Sequence, residues 1–224
     1  GINRALSAKG SIILVSGEAG VGKSYLAEAA VAHARSLGMT VLRSACTSYS
    51  AVVPYLPIVD PLLRIDPPTS NPGSTEIWLN LVASLRDLLE CLDDSRRDQS
   101  SMRQIRFFDI IISMFQHLMS GPGMVFLVDD LQWCDSGSLQ LLQRLARHLE
   151  DKRLCILCTY RSERATAHWE ESSHHLIDRI VAELPSNVVK TLRVNNLNTE
   201  QTRVMVENLL ESNNIPLALS DIIF

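Results

Sequence analysis

The sequence lacks any long hydrophobic run, and it has no excess of positive charge. No apolar segment reaches the roughly 18 residues that a membrane-spanning helix needs. No secretory signal is visible at the N-terminus. The formal net charge is −4, which argues against a global electrostatic field that attracts nucleic acid. We therefore predict a chain that does not cross a membrane and does not itself bind nucleic acid.

Cysteines are few and scattered. The chain contains five, an odd number without the spacing of a disulfide framework. This pattern is typical of a reducing compartment, and it predicts a cytoplasmic location. Cys155 and Cys158 form a Cys-x-x-Cys pair inside the apolar run of residues 154–158. Because residues three apart in a strand face opposite sides, the pair is interpreted as buried structural thiols rather than as a redox or zinc site.

Short apolar segments alternate with helical patterns along the chain, and hydrophobic residues make up 46% of it. Strands are predicted at residues 11–16, 40–45, 124–128, 154–160 and 188–194. Helices are predicted at residues 23–37, 58–64, 76–91, 101–119, 138–149 and 175–184. Continuous apolar strands that alternate with helices indicate an α/β domain with a parallel sheet covered on both faces.

Three local patterns predict helix faces and helix ends. The first long helix is predicted to share one face among Leu26, Ala30, Ala34 and Leu37. Asp135 or Ser136 is predicted to cap the helix at residues 138–149. Residues 198–201 (Asn-Thr-Glu-Gln) resemble a capping box, and they predict a further helix that begins there.

Residues 17–24 (Gly-Glu-Ala-Gly-Val-Gly-Lys-Ser) match the phosphate-binding pattern G-x-x-x-x-G-K-[ST]. They follow a predicted strand and open a predicted helix, which is the context that this P-loop pattern requires. The glycines allow backbone N–H groups to turn toward phosphate oxygens, and the helix N-terminus favours an anion. Lys23 is predicted to reach the β- and γ-phosphates, and Ser24 to ligate Mg²⁺. The residues predicted to bind the nucleotide are Gly17, Glu18, Ala19, Gly20, Val21, Gly22, Lys23, Ser24 and Tyr25.

Two acids, Asp129 and Asp130, follow the apolar strand of residues 124–128. A carboxylate at the tip of this strand suits the hard ion Mg²⁺, and Asp129 is assigned that role. Asp130 is then predicted to act as the general base for the water that attacks the γ-phosphate. The alternative interpretation is an acidic turn after a core strand, without a chemical role.

Arg161 ends the next predicted strand. In an open α/β sheet, ligands bind beyond the carboxyl ends of the strands. The residues alone leave two interpretations of Arg161 open. The guanidinium either senses the γ-phosphate through bidentate contacts, or it forms a surface ion pair with Glu163 or Glu170.

Residues 129–135 (Asp-Asp-Leu-Gln-Trp-Cys-Asp) resemble the extended Walker B motif of STAND-type ATPases. The run is similar to the D-D-L-Q-W-A-D signature of the ATPase modules in large LuxR-type transcription regulators, with Cys134 in place of the usual alanine. Similar modules accompany bacterial nucleotide cyclases and some Ser/Thr kinases. The P-loop, residues 54–57 (Pro-Tyr-Leu-Pro) and residues 158–161 (Cys-Thr-Tyr-Arg) also resemble that group. The resemblance covers nearly the whole chain.

The resemblance implies a three-layer P-loop NTPase with a parallel sheet in the order 5-1-4-3-2. Walker A would lie on strand 1, Walker B on strand 3, and the sensor on strand 4, where Arg161 would contact the γ-phosphate. Residues 1–196 would form the core and residues 197–224 the start of a helical lid. The adenine-contacting segment, the glycine–proline motif of the lid, and the sensor and output domains are expected to lie outside the chain.

The resemblance further implies a nucleotide switch. ATP would favour an open, assembly-competent state and ADP a closed one, with slow Mg²⁺-dependent hydrolysis as a timer. The implied partners are the nucleotide, the protein's own downstream domains and further copies of the chain.

Two other functions remain open from the sequence. A faster AAA+ motor or loader needs an arginine finger in trans, and Arg144, Arg147 and Arg164 are available for it. A small-molecule kinase would need an acceptor pocket between residues 46 and 120. The acidic pair after strand 3 instead favours water as the nucleophile.

Overall fold

The computed structural model is built around a single sheet. It describes residues 1–47, 54–66, 72–92, 100–119, 121–147, 149, 151–162, 177–179, 181–184 and 186–210. Within these ranges, no helix has both the length and the hydropathy needed to span a bilayer.

The sheet has five strands, and every pairing in it is parallel. The strands are β1 (Ser11–Gly17), β2 (Thr40–Ala45), β3 (Met124–Asp129), β4 (Leu154–Arg161) and β5 (Val189–Arg193). Their order across the sheet is β2-β3-β4-β1-β5. The predicted α/β class and the order 5-1-4-3-2 are confirmed. Because all strands run the same way, the carboxyl ends of β1, β3 and β4 meet at one edge of the sheet.

Helices cover both faces of the sheet. One face packs against α1 (Ile2–Leu6) and α2 (Lys23–Ser36). The other packs against α3 (Leu56–Arg64), α4 (Pro72–Leu92), α5 (Ser100–Leu118) and α6 (Ser136–Arg147). A last helix, α7 (Thr199–Leu210), follows β5. Residues 177–179 and 181–183 are also helical, in agreement with the prediction for residues 175–184.

The strands divide their side chains between two cores. In β3, Val125 and Leu127 join the core on the α1–α2 face, whereas Phe126 and Val128 join the core on the opposite face. Cys155 and Cys158 of β4 are divided in the same way, and both are fully buried. Burial raises the pKa of each of these thiols. The prediction of buried thiols on opposite sides is confirmed.

The buried residues of α2 overlap only in part with the face predicted from the sequence. They are Lys23, Ala27, Val31 and Ala34. Of the predicted shared face, Ala34 is buried, whereas Leu26 and Leu37 are 40% and 38% exposed. Lys23, the first residue of the helix, donates hydrogen bonds to two backbone oxygens of the P-loop.

Side-chain caps fix the starts of two helices. Asp135, not Ser136, caps α6: its Oδ1 accepts a hydrogen bond from the Ser138 N–H at 2.9 Å. Asp135 Oδ2 also accepts the Tyr55 N–H at 3.2 Å, which ties the start of α3 to the start of α6. At α7, the Asn198 N–H donates to Gln201 Oε1 at 3.0 Å, and the Gln201 N–H donates to Asn198 Oδ1 at 2.8 Å. The predicted capping box is confirmed.

Candidate functional site

The loop between β1 and α2 has a backbone that only glycine adopts easily. Gly20 and Gly22 have φ angles of 78° and 98°, in the left-handed region that favours glycine. A Cβ atom at either position would meet no heavy atom within 4 Å. The glycines are therefore required for the conformation of the loop and not because of crowding within the protein. This conformation aligns the loop with the N-terminus of α2, where backbone N–H groups have no partner in the helix.

Gly17 is required for a different reason, which is close packing. A Cβ atom there would lie 2.5 Å from the backbone oxygen of Val194. The Val194 N–H also donates to the Ser16 oxygen at 2.7 Å. The segment that follows β5 thus packs directly against the start of the P-loop.

Lys23 has its charge inside the loop. Its side chain is 7% exposed, and Nζ donates to the backbone oxygens of Gly17 at 3.1 Å and Glu18 at 2.6 Å. Burial of an ammonium group is costly unless its protons are bonded, and these two carbonyls satisfy that requirement. The positive charge is therefore held within the loop, next to the backbone oxygens of Gly17 and Glu18.

Ser24 and Asp129 come together from different elements. Ser24 Oγ donates to Asp129 Oδ1 at 3.2 Å, and Thr159 Oγ1 donates to the same carboxylate oxygen. A hydroxyl and a carboxylate oxygen form the hard donor set that Mg²⁺ prefers, and this ion commonly takes only one or two protein ligands beside phosphate oxygens and water. In the described part of the chain, no group of three or more His, Cys, Asp or Glu side chains is placed to hold a metal. The residues therefore fit Mg²⁺ rather than a fully protein-ligated ion.

Asp130 lies where the chain turns sharply after β3. Its φ of 57° and ψ of 49° place it in the left-handed region, which Asp tolerates better than most residues. The Asp130 N–H donates to Thr159 Oγ1 at 2.9 Å, and Asp130 Oδ1 accepts from Gln132 Nε2 at 2.8 Å. One hydroxyl, that of Thr159, therefore donates to Asp129 and accepts from Asp130.

An open cavity of about 260 Å³ brings most of the predicted site residues together. It is lined by Ala19, Gly20, Gly22, Lys23, Ser24, Tyr25, Asp130 and Arg161. Tyr25 is 83% exposed at its rim. Asp129 is joined to these lining residues by its hydrogen bond with Ser24. Val21 lines neither this cavity nor the neighbouring one.

A second cavity, of about 280 Å³, adjoins the first. It is lined by Gly17, Glu18, Ser162, Arg193, Val194, Asn195 and Asn196. Glu18 is bonded there, since its Oε2 accepts from Asn196 Nδ2 at 3.0 Å. The surface ion pair that would compete with a ligand for Arg161 involves Glu163 or Glu170, and both lie outside the described residues.

Two polar residues of this site received no role from the sequence. Thr159 and Gln132 are 0% and 1% exposed, and both bond to the acidic pair. For Thr159 a signal was present, because a hydroxyl at the end of an otherwise apolar strand is unusual in a core. For Gln132 the sequence offered only its place in the 129–135 motif, which does not indicate where its side chain points.

Several solved structures are similar to this chain. A Walker-type ATPase from Pyrococcus abyssi superposes with a TM-score of 0.50 at 13% identity, over 98% of this chain and 60% of its own. A STAND protein with a tetratricopeptide repeat sensor from Pyrococcus horikoshii gives 0.44 at 14%, over 95% and 25%. DnaA from Aquifex aeolicus, bound to AMPPCP, gives 0.49 at 16%, over 99% and 52%. The chain thus spans less than two thirds of each of these proteins.

Sequence comparison assigns the family. No curated protein sequence matches the chain. A family model described as AAA ATPase domain matches residues 2–157, and these residues include the P-loop, Asp129 and Asp130. Since the match covers well over half of the sequence, the chain belongs to the AAA ATPase domain family.

Proposed function

We propose that the chain is an ATP- and ADP-binding regulatory switch of the STAND type, with slow Mg²⁺-dependent ATP hydrolysis. It would serve a multidomain signalling or transcription-regulatory protein such as the large LuxR-type regulators. Membership of the AAA ATPase family supports nucleotide binding. The observation that carries the proposal is the cavity in which Lys23, Asp130 and Arg161 meet.

The phosphates bind at the P-loop in this proposal. Backbone N–H groups of residues 18–22 and the N-terminus of α2 provide the dipoles that favour an anion. Lys23 already has its ammonium group at this position, bonded to two backbone oxygens. Phosphate oxygens would replace those neutral acceptors with charged ones, which form stronger hydrogen bonds.

Mg²⁺ would be held by Ser24 Oγ and Asp129, the two oxygen groups that lie 3.2 Å apart. When bound, the ion neutralises charge on the β- and γ-phosphate oxygens. Thr159 keeps Asp129 oriented through its own hydrogen bond to the same carboxylate.

In the hydrolysis step, the oxygen of a water molecule bonds to the γ-phosphorus, and the bond from that phosphorus to the bridging oxygen breaks. Asp130 accepts the proton of the water, and ADP and inorganic phosphate are released. Arg161, at the end of β4, lines the same cavity and would stabilise the charge on the γ-phosphate oxygens. The proton on Asp130 then passes to solvent, which restores the base and balances atoms and charges without any further reactant.

The switching part is assigned to the segment after β5. The core comprises residues 1–196 and the lid begins at residue 197, close to the start of α7 at Thr199. Nucleotide-dependent movement of this lid would alter contacts with the protein's sensor and output domains and with other copies of the chain. Nucleic acid and membrane are not proposed as direct partners of this part of the protein. The scattered cysteines favour a cytoplasmic location.

The contacts of two arginines favour the switch over an AAA+ motor. A motor needs an arginine that a neighbouring subunit can use. Arg144 lies 5.5 Å from the Phe108 ring and 3.8 Å from Asp109, and Arg147 lies 2.7 Å from Glu183. These two arginines are thus engaged within their own chain. The third candidate, Arg164, lies outside the described residues.

The test is a measurement of ATP and ADP affinity and of ATP turnover with Mg²⁺ in the full-length protein. We expect retention of ADP and turnover well below about 1 s⁻¹, the low end for typical enzymes. Lys23→Ala should abolish nucleotide binding. Asp130→Asn should retain binding and reduce hydrolysis at least about 100-fold, the low end for loss of a general base.

The controls match the variants in chemistry. Lys190→Ala removes an exposed lysine of β5. Asp151→Asn alters an exposed aspartate that, like Asp130, has a left-handed backbone, with a φ of 62°. Both should behave as the unsubstituted protein. Turnover above about 1 s⁻¹ would favour the motor, and absence of nucleotide binding would contradict the central proposal.

A further inference from the structure

We propose that Gln132 is a positioning residue for ATP hydrolysis, whose side-chain amide holds the Asp130 carboxylate in a fixed place relative to the end of β4. The inference rests on the proposed function, because it assigns Gln132 a part in the hydrolysis attributed to Asp130. Gln132 is not among the residues assigned to bind the nucleotide.

Both ends of the Gln132 amide are used. Nε2 donates to Asp130 Oδ1 at 2.8 Å, and Oε1 accepts the Arg161 N–H at 3.1 Å. A carboxylate only accepts and a backbone N–H only donates, so the amide satisfies both in one orientation alone. The side chain is 1% exposed, and water cannot easily replace either bond. Asp130 is thereby linked to the backbone of the residue predicted to sense the γ-phosphate.

The backbone after β3 brings Gln132 to this position. Asp130 has left-handed φ and ψ angles, and a single turn of 3₁₀ helix follows at Leu131–Trp133. The Trp133 N–H donates to the backbone oxygen of Asp130 at 2.9 Å, which closes that turn. The side chain of Gln132 therefore folds back over the carboxylate two residues earlier and reaches β4.

A second bond to β4 holds the backbone of Asp130. The Asp130 N–H donates to Thr159 Oγ1 at 2.9 Å. Asp130 is thus attached to β4 by its backbone through Thr159 and by its carboxylate through Gln132. Rotation of the carboxylate away from β4 requires loss of the bond to Gln132, so this bond selects the side-chain conformation of Asp130.

This conformation matters because a general base must lie within hydrogen-bond reach of its water. Gln132 Nε2 bonds to Oδ1 of the Asp130 carboxylate. The other oxygen, Oδ2, is the one that we assign to the attacking water. Any shift of the Arg161 backbone on contact with phosphate would also move the Asp130 carboxylate, because Gln132 is bonded to both. A residue that merely satisfied buried polar groups would support the fold but would not control the rate of hydrolysis.

Two substitutions test the assignment in the full-length protein. Gln132→Met keeps the length of the side chain and removes both hydrogen bonds. We expect nucleotide affinity within about 2-fold of the unsubstituted protein and a single-turnover hydrolysis rate lower by about 10- to 100-fold, the size of effect produced by slight misplacement of a catalytic group. Gln140→Met, at an exposed position on α6, is the matched control and should change neither quantity.

Gln132→Glu supplies a readout that a structural role would not affect. Ionised Glu still accepts the Arg161 N–H, but it places a second carboxylate against Asp130 instead of a donor. The bond to the Arg161 backbone is thus kept while the bond to Asp130 is lost. We expect a single-turnover hydrolysis rate at least about 10-fold lower, with nucleotide affinity within about 2-fold of the unsubstituted protein.

The outcomes separate this inference from the proposed function. A folded Gln132→Met variant that hydrolyses ATP at the unsubstituted rate would overturn the positioning role, as would a rate loss matched by an equal loss of nucleotide affinity. A folded Gln132→Glu variant that hydrolyses ATP at the unsubstituted rate would also overturn it, and this variant decides the question if Gln132→Met does not fold. Absence of nucleotide binding in the unsubstituted protein would instead contradict the proposed function itself, and this inference with it.

Discussion

The central strands and the last strand of the sheet are built in opposite ways. Five of the six residues of β3 and six of the eight residues of β4 are buried. In β5, four of the five residues are exposed, and no residue of α7 in the described part of the chain is fully buried. The acids and their hydrogen-bonding partners lie at the ends of the buried strands. The segment assigned to the lid follows the exposed strand.

The hydrogen bonds show the same division. At the ends of β3 and β4, Thr159 and Gln132 bond to both acids and to the backbone of Arg161. The segment after β5 is tied to the P-loop by the bond from Val194 to Ser16 and the bond from Asn196 to Glu18. Catalytic groups need a rigid support, whereas a switching segment must be able to detach at low cost. One sheet therefore has a firmly packed end at β3 and β4 and a more exposed end at β5.

The largest effect should come from truncating a buried side chain in a central strand. Ile156→Ala in β4 removes a fully buried side chain and should lower the free energy of unfolding by about 2–5 kcal/mol. Leu192→Ala in β5, where the side chain is 47% exposed, should change it by no more than about 0.5 kcal/mol. Urea denaturation followed by circular dichroism measures both. Equal losses would mean that β5 is packed as tightly as β4.

A smaller effect is expected from loss of the hydroxyl that joins the acids. Thr159→Val keeps the shape of a buried side chain and removes the bonds to Asp129 and to the Asp130 N–H. We expect a loss of about 1–3 kcal/mol, the cost of an unsatisfied polar group. Thr191→Val, at an exposed position on β5, is the matched substitution and should be nearly neutral. A neutral Thr159→Val would show that these bonds do not hold the acids.

Removal of a helix cap should distinguish local from global unfolding. Asn198→Ala removes the acceptor for the Gln201 N–H and should destabilise the first turn of α7 by about 1 kcal/mol. Amide hydrogen exchange at residues 200–202 should accelerate, while the urea midpoint of the whole protein stays unchanged. Asp135→Ala, which uncaps α6 against the buried core, should lower that midpoint. If Asn198→Ala lowers it too, α7 unfolds together with the core.

The smallest effect concerns the buried thiols. Burial raises the pKa of Cys158 above the value of 9.0 that applies to the unfolded chain. Its contribution to stability is therefore fully present below about pH 9, and it is lost as the pH rises above that value, because the unfolded chain then releases the proton. Between pH 8 and pH 9.5 the stability of Cys158→Ala should fall less than that of the unsubstituted protein, by under about 1 kcal/mol. Urea midpoints at the two pH values test this, and parallel pH profiles would contradict it.

The sequence predicted those parts of the molecule that local pattern determines. The order of the sheet was implied by the family resemblance, and the capping box at Asn198 followed from four residues. Helix α1 was not predicted, because five residues are too few to show a helical period. The sequence indicated the helical period of α2 but not which of its residues are buried, because that depends on the strands against which the helix packs.

The site was predictable in its motifs but not in its connections. The roles assigned to Lys23, Ser24, Asp129, Asp130 and Arg161 stay predictions until nucleotide binding is measured, although the structure places these residues around one cavity or next to it. Gln132 could not have been assigned from its neighbours in sequence. Its contacts depend on the left-handed backbone at Asp130 and on the position of β4, and both arise from the folded chain.

The cap of α6 has a consequence for how the 129–135 motif is used in sequence searches. Asp135, its last residue, bonds to the backbone at Ser138 and at Tyr55, and so it joins two helices rather than contacting the cavity. A related protein without the proposed ATP hydrolysis would still be stabilised by Asp135. The presence of Asp135 in a newly sequenced genome therefore reports ancestry and architecture, whereas the proposed ATPase activity is better judged at Lys23 and Asp130.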